Sequence, residues 1–230
     1  MLQAHTPPQP SHATPSFATP VQLHGWGVQL APLRMAHMAG LQEAAADGEL
    51  WKLRVTWVPE PEETRAYIQK ALDMQAQGTR CPFVVLQADT GKVLGTTSYH
   101  DIVPGARRVE IGYTWYAASA QRSHVNTACK LLLMQHAFET LQCGVIGWRT
   151  DILNTRSQQA IERLGARKDG VLRHHTTRWD GSVRDTVMYS MLAAEWPAAR
   201  QRLLQKLQLL VPANAWFSIS IALKTNIHQR

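Results

Sequence analysis

The sequence predicts an α+β domain built on a mostly antiparallel sheet, and two observations indicate that class. Short runs rich in β-branched and aromatic residues alternate with longer segments whose apolar residues recur every three or four positions. The elements they predict follow the order β-α-α-β-β-β-α-β-α-β-β. Consecutive strands joined by short turns pair antiparallel, and helices between strands cover the sheet.

The first half of the chain is predicted to hold one strand, two helices and an antiparallel meander. The first helix has apolar residues at helical spacing, and the second begins with a proline and two glutamates and ends at Gly78. The predicted helices are 35–46 and 61–77, and the predicted strands are 28–33, 82–87, 93–99 and 109–116.

The second half is predicted to hold a central helix, a strand, a short helix and a hairpin. Leu131, Met134 and Phe138 give the central helix one apolar stripe. Asp180-Gly181 is a strong signal for the hairpin turn. The predicted helices are 126–141, 156–164 and 195–210, and the predicted strands are 145–150, 171–179 and 183–192.

Three parts follow from the composition along the chain. Residues 1–20 carry no charged side chain and are rich in Pro, His, Ser and Thr, so they are predicted to be disordered. Residues 21–196 are predicted to form the domain, and 197–230 a C-terminal helix and tail. The apolar segment 216–223 admits three interpretations: docking on the domain, self-association, or an extension.

Charge and cysteine content limit the partners. The net charge is +7, but no block of five or six Lys or Arg occurs, which argues against nucleic-acid binding. Three cysteines, an odd number without metal-ligand spacing, indicate neither a disulfide framework nor a zinc site. No apolar run approaches the length of a membrane span, and we expect a cytoplasmic protein with no metal and no membrane partner. A homodimer and a monomer are both left open.

The loop before the central helix is a candidate anion site. A helix N-terminus presents unpaired N–H groups and a favourable dipole to a phosphate. Gln121 adds a donor, Arg122 adds a cation, and Lys130 follows about one turn into the helix. The alternative is a connecting loop and a helix capped by Asn126.

Several phrases resemble a known family. The order of elements, Glu110-Ile111-Gly112-Tyr113, the loop before the central helix, and Asn154 with Ser157 resemble the GNAT superfamily of N-acyltransferases. The similarity spans about 21–196. Four further phrases are similar to the RimJ/RimL-type protein N-acetyltransferases: Val125-Asn126-Thr127, Lys130-Leu131-Leu132-Leu133, His136-Ala137-Phe138-Glu139 and Arg163-Leu164-Gly165-Ala166.

The resemblance implies a fold and a cofactor site. Helices would lie on both faces of the sheet, and the parallel strands 109–116 and 145–150 would splay to admit the pantetheine of acetyl-CoA, the co-substrate. Asn154 would hydrogen-bond that arm or order the thioester. The residues implied to bind the coenzyme are Gln121, Arg122, Ser123, His124, Val125, Asn126, Thr127, Lys130, Asn154 and Ser157.

Two positions depart from the family pattern. His124 and Asn126 stand where the loop usually has glycine, so the backbone approach to a pyrophosphate would differ in shape. Ile161 stands where many relatives have a tyrosine that protonates the leaving thiolate. Another group, or water, would have to serve as the acid.

The acceptor amine must lose a proton before attack, which calls for a base. The resemblance makes Glu110 the first candidate, together with Asn154 at the catalytic centre, and a structural ion pair with Arg107 or Arg108 is the alternative. His100 and Tyr99 are further candidates. The predicted function is transfer of acetyl to a primary amine of a protein N-terminus, an amino acid or a small amine. A non-catalytic CoA-binding module is the main alternative, and a basic nucleic-acid-binding protein is the second.

Overall fold

The computed structural model describes residues 17–211, which form one sheet of eight strands with five α-helices. The spatial order of the strands is β1-β2-β3-β4-β5-β6-β8-β7. The strands are β1 (Leu23–Gly25), β2 (Val28–Pro32), β3 (Arg80–Gln87), β4 (Val93–Val103), β5 (Arg108–Tyr116), β6 (Val145–Asp151), β7 (Arg167–Thr177) and β8 (Val183–Leu192). The helices are α1 (Met38–Ala46), α2 (Thr64–Ala76), α3 (Val125–Gln135), α4 (Thr155–Glu162) and α5 (Trp196–Leu210).

The predicted α+β class and mostly antiparallel sheet are confirmed. Every neighbouring pair of strands runs antiparallel except β5 and β6, which are parallel. Several strand and helix ends lie a few residues from their predicted positions, and two features lie outside the sequence prediction. A three-residue strand, β1, precedes the first predicted strand. The central helix changes after Gln135 to a π-helical turn over His136–Thr140.

Helix α2 begins directly after a proline and two acidic residues. A 3-10 turn, Pro61–Glu63, leads into α2, and the Glu63 side chain accepts a hydrogen bond from the backbone N–H of Glu60. Carboxylates at this end are stabilised by the helix dipole.

Helix α3 is buried along most of its length and fills the space against the sheet.

The parallel strands β5 and β6 pair at only three positions and then separate. Arg108 pairs with Val145, Val109 with Ile146, and Glu110 with Gly147. Beyond Glu110 and Gly147 the two strands share no register within the described chain. The predicted splay is therefore confirmed, and Glu110 lies at the point where the strands part.

The alternation of side chains assigns residues to two faces of the sheet. Tyr99 donates to the carbonyl of Leu133 in α3 at 2.5 Å, so its face is called the α3 face. Thr96 bonds to Tyr67 of α2 at 2.9 Å, and its face is called the α1–α2 face. His100 is opposite Arg80 on one side and Glu110 on the other, and these three share the α1–α2 face.

A bulge in β5 brings an additional side chain to the α1–α2 face. Two steps along β4, from Ser98 to Thr96, stand opposite three steps along β5, from Gly112 to Trp115. The extra residue turns through Tyr113, whose φ is 49°. As a result Tyr113 joins Arg80 and His100 instead of facing α3.

At its N-terminal end the folded part of the chain begins before the predicted domain start. Phe17 is 6% exposed and lies in the core, ahead of the predicted domain start at 21. Helix α5 packs through Trp196, whose ring lies 5.6 Å from that of Phe138. Residues 1–16 and the apolar segment 216–223 lie outside the described residues, so the domain limits stay a prediction. Within 17–211 no helix is long and apolar enough to cross a membrane.

Candidate active site

The N-terminus of α3 follows a loop in which Ser123 makes two hydrogen bonds. The Ser123 hydroxyl donates to the carbonyl of Ala120 at 2.6 Å and accepts from the backbone N–H of Val125 at 3.2 Å. The interpretation of an Asn126 cap is wrong, because Asn126 is the second residue of the helix and His124 precedes it. The first-turn N–H groups of Asn126 and Thr127 have no intrahelical acceptor, as at any helix start.

Two cations border this helix start. Arg122 is exposed and adopts a left-handed backbone, with φ 59°. Arg156, at the start of α4, donates to the side-chain oxygen of Gln121 at 3.0 Å. Gln121 in turn donates to the carbonyl of Tyr116, at the end of β5, at 2.8 Å. The loop is thereby tied to β5 and α4, with two guanidinium groups beside it.

His124 closes the other side of this loop. Its pKa is lowered, chiefly by burial and against a hydrogen bond with the backbone of Trp26. A cavity of about 610 Å³ opens here between the α3 N-terminus and the turns that follow β1 and β3. Neither Glu110 nor Asn154 lines it, so this cavity is separate from the splay.

Lys130 lies deeper than its predicted place near the phosphate loop. Only 6% of it is exposed, and its ammonium donates to the Thr114 hydroxyl of β5 at 2.9 Å. Burial lowers the pKa of Lys130 to about 8. Thr114 also bonds to Thr97 at 2.8 Å, so the ammonium reaches β5 past the splay on the α3 face.

Asn154 caps α4 and reaches toward a second segment. Its side-chain oxygen accepts from the backbone N–H of Ser157 at 3.0 Å. Its amide nitrogen lies 3.4 Å from the hydroxyl of Thr56, in the segment between α1 and α2. The structure therefore brings Asn154 and Ser157 together at the end of β6, with the amide N–H₂ of Asn154 directed away from its own helix.

Glu110 is fully buried in a cluster of four charges, called here the ionic cluster. Arg108 donates to one of its oxygens, and Arg149 donates to the other at 2.5 Å. Asp101 accepts from the same two arginines, at 2.5 and 2.7 Å. The predicted alternative, an ion pair with Arg108, is therefore present, while Arg107 instead donates to the carbonyl of Gln142. The charges of the ionic cluster cancel.

The other predicted base candidates lie on opposite faces. The His100 ring nitrogen is 3.9 Å from the Glu110 carboxylate. Burial, aided by the charge of Arg149, lowers the pKa of His100 to about 3, so the imidazole is neutral at pH 7. Tyr99 points to α3, and burial raises its pKa well above the ordinary value. It is not part of the group around Glu110.

The contacts of Asp151 and the burial of Cys129 indicate structural roles for both residues. Asp151 accepts from the backbone N–H of Leu153 at 2.9 Å and so caps the turn that follows β6. It also pairs with Arg178 at 2.6 Å. Cys129 is buried, and burial raises its pKa to about 12, so it holds no thiolate at neutral pH.

Two segments meet above the α1–α2 face. Arg54 pairs with Asp180 at 2.9 Å, and the Trp179 indole donates to the carbonyl of Leu53 at 3.2 Å. Trp57 is 49% exposed nearby, with its ring 5.4 Å from that of Tyr67. The loop between α1 and α2 and the tip of the β7–β8 hairpin thus join beside a partly apolar surface. Two other tryptophans are less exposed than Trp57: Trp51 is partly buried and Trp115 is in the core.

Four residues of this region were missed by the sequence reasoning. Arg80 lies outside the predicted strand 82–87, whereas β3 begins at Arg80. Arg149 is an isolated cation within an apolar strand, which was a usable signal. Asp101 and Arg156 gave no local signal, because their partners are distant in sequence. Among the described residues no group of three or more His, Cys, Asp or Glu could hold a metal ion.

Known proteins are similar to this chain in sequence and fold. The family model described as the Acetyltransferase (GNAT) domain matches residues 28–167. A crystal structure from T. thermophilus, named as a candidate acetyltransferase, is 32% identical with a TM-score of 0.73, covering 82% of this chain and 98% of that one. Mycobacterium smegmatis RimJ, solved in complex with CoA-disulfide, is 25% identical with a TM-score of 0.66, covering 82% and 93%.

A curated relative agrees with the structures. YdaF of Bacillus subtilis, named as a candidate ribosomal N-acetyltransferase, is 31% identical over 106 residues, which are 46% of this chain and 57% of YdaF. Together the comparisons confirm the GNAT fold and the RimJ/RimL-like resemblance inferred from the sequence.

Proposed function

We propose that this protein, which belongs to the GNAT family of acetyltransferases, transfers acetyl from acetyl-CoA to a primary amine. One observation carries the proposal: the strands β5 and β6 splay, and the loop ahead of α3 is hydrogen-bonded to the end of β5 and to α4. The exposed backbone of the splay can pair with the amides of pantetheine as an added strand would. The helix start can hold the pyrophosphate.

The residues around the helix start fit a diphosphate. Backbone N–H groups of Asn126 and Thr127 are the donors, and Arg122 with Arg156 would supply two cations. His124 would fill the place of a loop glycine. Lys130 was expected to contact the phosphates, but in this proposal it would contact the pantetheine arm. Its ammonium is hydrogen-bonded to Thr114, next to the splay.

Asn154 and Ser157 support the same arm from the β6 side. The oxygen of Asn154 is occupied as the α4 cap, so its amide nitrogen is the group available to a pantetheine carbonyl. The contact with Thr56, at 3.4 Å, is long enough to be replaced by a better acceptor. Ser157, one turn into α4, would be a second polar group that contacts the pantetheine arm.

The charge environment of Glu110 favours an α-amine as the acceptor. Both oxygens of Glu110 are engaged by arginines, which supports the ion-pair role over that of a free base. An α-amine has a pKa of about 8, so about a tenth of it is already neutral at pH 7. A lysine amine, with a pKa of about 10.4, would be neutral in only about one molecule in 2500 at pH 7.

In the reaction, the neutral amine nitrogen forms a bond to the thioester carbonyl carbon while the carbon–sulfur bond breaks. The proton lost by the nitrogen and the proton gained by the thiolate are exchanged with the site or with water. Relatives whose names describe ribosomal or RimJ-type acetyltransferases favour a protein N-terminus among the α-amines. Three buried free cysteines suit a reducing compartment, and we propose the cytoplasm.

Thiol release tests the proposal directly. Purified protein with acetyl-CoA and a panel of peptides, amino acids and diamines should release CoA with at least one α-amine. Calorimetric binding of CoA without thiol release across the panel would instead support a CoA-binding module that does not catalyse transfer.

A further inference from the structure

Arg80 is a buried cation whose side chain runs along the α1–α2 face of the sheet, from β3 toward the splay. It is 2% exposed, and its Nε donates to the Ser98 hydroxyl of β4 at 2.9 Å. Its guanidinium carbon lies 3.8 Å from the ring centroid of Tyr113, on β5. The side chain therefore starts on β3, passes β4 and ends over the bulge that follows Glu110.

No carboxylate offsets this charge within residues 17–211. Arg80 has no acidic side chain within 4.0 Å, and its Nη2 is buried without a hydrogen-bond partner. A buried charge without a partner is costly, and stacking on Tyr113 offsets only part of that cost. Such an arrangement indicates that a group outside the described chain completes the hydrogen bonds of Arg80.

The neighbours of Arg80 leave its charge uncompensated. The ionic cluster holds two arginines and two carboxylates, which balance each other. His100, between Arg80 and Glu110, is neutral at pH 7 because burial lowers its pKa to about 3. The α1–α2 face at the splay therefore has one excess positive charge where the proposed acceptor would approach.

We propose that Arg80 binds a carboxylate of the acceptor, so that the enzyme selects amines that carry a carboxylate close to the reacting nitrogen. This inference rests on the proposed acetyl transfer. A guanidinium presents parallel N–H donors that match a carboxylate. The Tyr113 ring, 41% exposed, stacks on the guanidinium and would have to turn aside for a carboxylate to reach Nη2.

Matched acceptors identify the source of the carboxylate. Free alanine is compared with alaninamide, and a tetrapeptide amide with aspartate in second place is compared with its asparagine analogue. We expect kcat/KM, calculated for the neutral amine from the measured pKa of each acceptor, to favour the acid by roughly tenfold or more in one of the two pairs. A preference in the first pair assigns a free amino acid, and one in the second pair assigns an acidic peptide. Equal values of this corrected kcat/KM within both pairs, or a corrected preference for the amides, overturn the proposal.

Variants of Arg80 separate recognition from structural support. Arg80→Met should raise KM for the preferred acid roughly tenfold, while its neutral analogue and acetyl-CoA stay within about twofold. Arg80→Lys keeps the charge, and its KM for the preferred acid should lie between those of the wild type and Arg80→Met. Arg65→Met removes an exposed arginine of α2 and serves as the matched control. An equal loss for acid and amide in Arg80→Met shows a purely structural role and overturns the proposal.

Calorimetry keeps the inference separate from the proposed function. With CoA present, the wild-type protein should bind the acid more tightly than the amide even if no acetyl is transferred. Acid-selective binding without thiol release supports the Arg80 site and refutes the transfer. Thiol release without acid selectivity supports the transfer and refutes the Arg80 site. If Arg80→Met does not fold, the wild-type ratios decide alone.

Discussion

The two faces of the sheet at the splay bury charge in different ways. The α1–α2 face holds the ionic cluster, in which Glu110 and Asp101 share two arginines. The α3 face holds Lys130, which is buried beside Thr114 and has no acidic partner among the described residues. A paired charge stays ionised, whereas burial of an unpaired lysine lowers its pKa, here to about 8. The faces should therefore respond differently to substitution and pH.

Removing Glu110 should have the largest effect on stability. Glu110→Gln leaves Arg108 and Arg149 without their most buried partner, and loss of one member of such a network costs about 3 kcal/mol of unfolding free energy. Denaturant titration measures it. Asp101→Asn, at the exposed end of the same cluster, is the control and should cost less. Equal costs would show that burial of Glu110 does not matter.

The kinetics of Glu110→Gln also decide its role. If Glu110 supports the site only through its ion pairs, turnover falls while the pH–rate profile keeps its shape. Loss of an acidic limb from the profile would instead establish Glu110 as the base.

Replacing Lys130 should stabilise the protein at neutral pH. The folded state releases the Lys130 proton near pH 8 and the unfolded chain near pH 10.5, so wild-type stability gains from this group as pH rises between those values. Lys130→Met should therefore be more stable by about 2 kcal/mol at pH 7, with the advantage vanishing above pH 10.5. Denaturation at both pH values tests this. A destabilised variant at pH 7 would mean that the Thr114 bond outweighs burial.

Each face also carries one buried histidine, and both should weaken the fold in acid. His100 has a pKa of about 3 and His136, beside Tyr99, of about 4, both lowered chiefly by burial. Unfolded histidine takes up a proton near pH 6.5, so stability falls as pH decreases below 6.5 toward those values. His136→Gln should reduce the loss at pH 5.5 by about 1 kcal/mol. An unchanged slope in thermal melts would contradict this.

Asn154 should give the smallest change in stability and a clear change in coenzyme use. Asn154→Ala loses the α4 cap, which costs about 1 kcal/mol, and raises KM for acetyl-CoA. Asn154→Ser keeps a capping oxygen without the amide donor, so it is the matched control. If serine restores both stability and KM, Asn154 acts on the coenzyme only through the helix.

The sequence was a good guide wherever local chemistry decides the structure. Asp180-Gly181 marked the hairpin, and Pro61 and two glutamates marked the approach to α2. It failed where the answer depends on residues far along the chain. The guanidinium partners of Glu110 come from β5 and β6, and residue 149 was not considered because the pairing of these strands is a tertiary property.

By itself the sequence determined the α+β class, the order of the main elements and the resemblance to acetyltransferases, because hydrophobic periodicity and turn residues act over a few positions. Only the tertiary structure decided that Lys130 bonds to Thr114, that Glu110 is enclosed by arginines, and that Arg80 reaches the splay unpaired. The physical reason is that charge and burial are set by neighbours in space. The strands that supply those neighbours meet only when the sheet is complete.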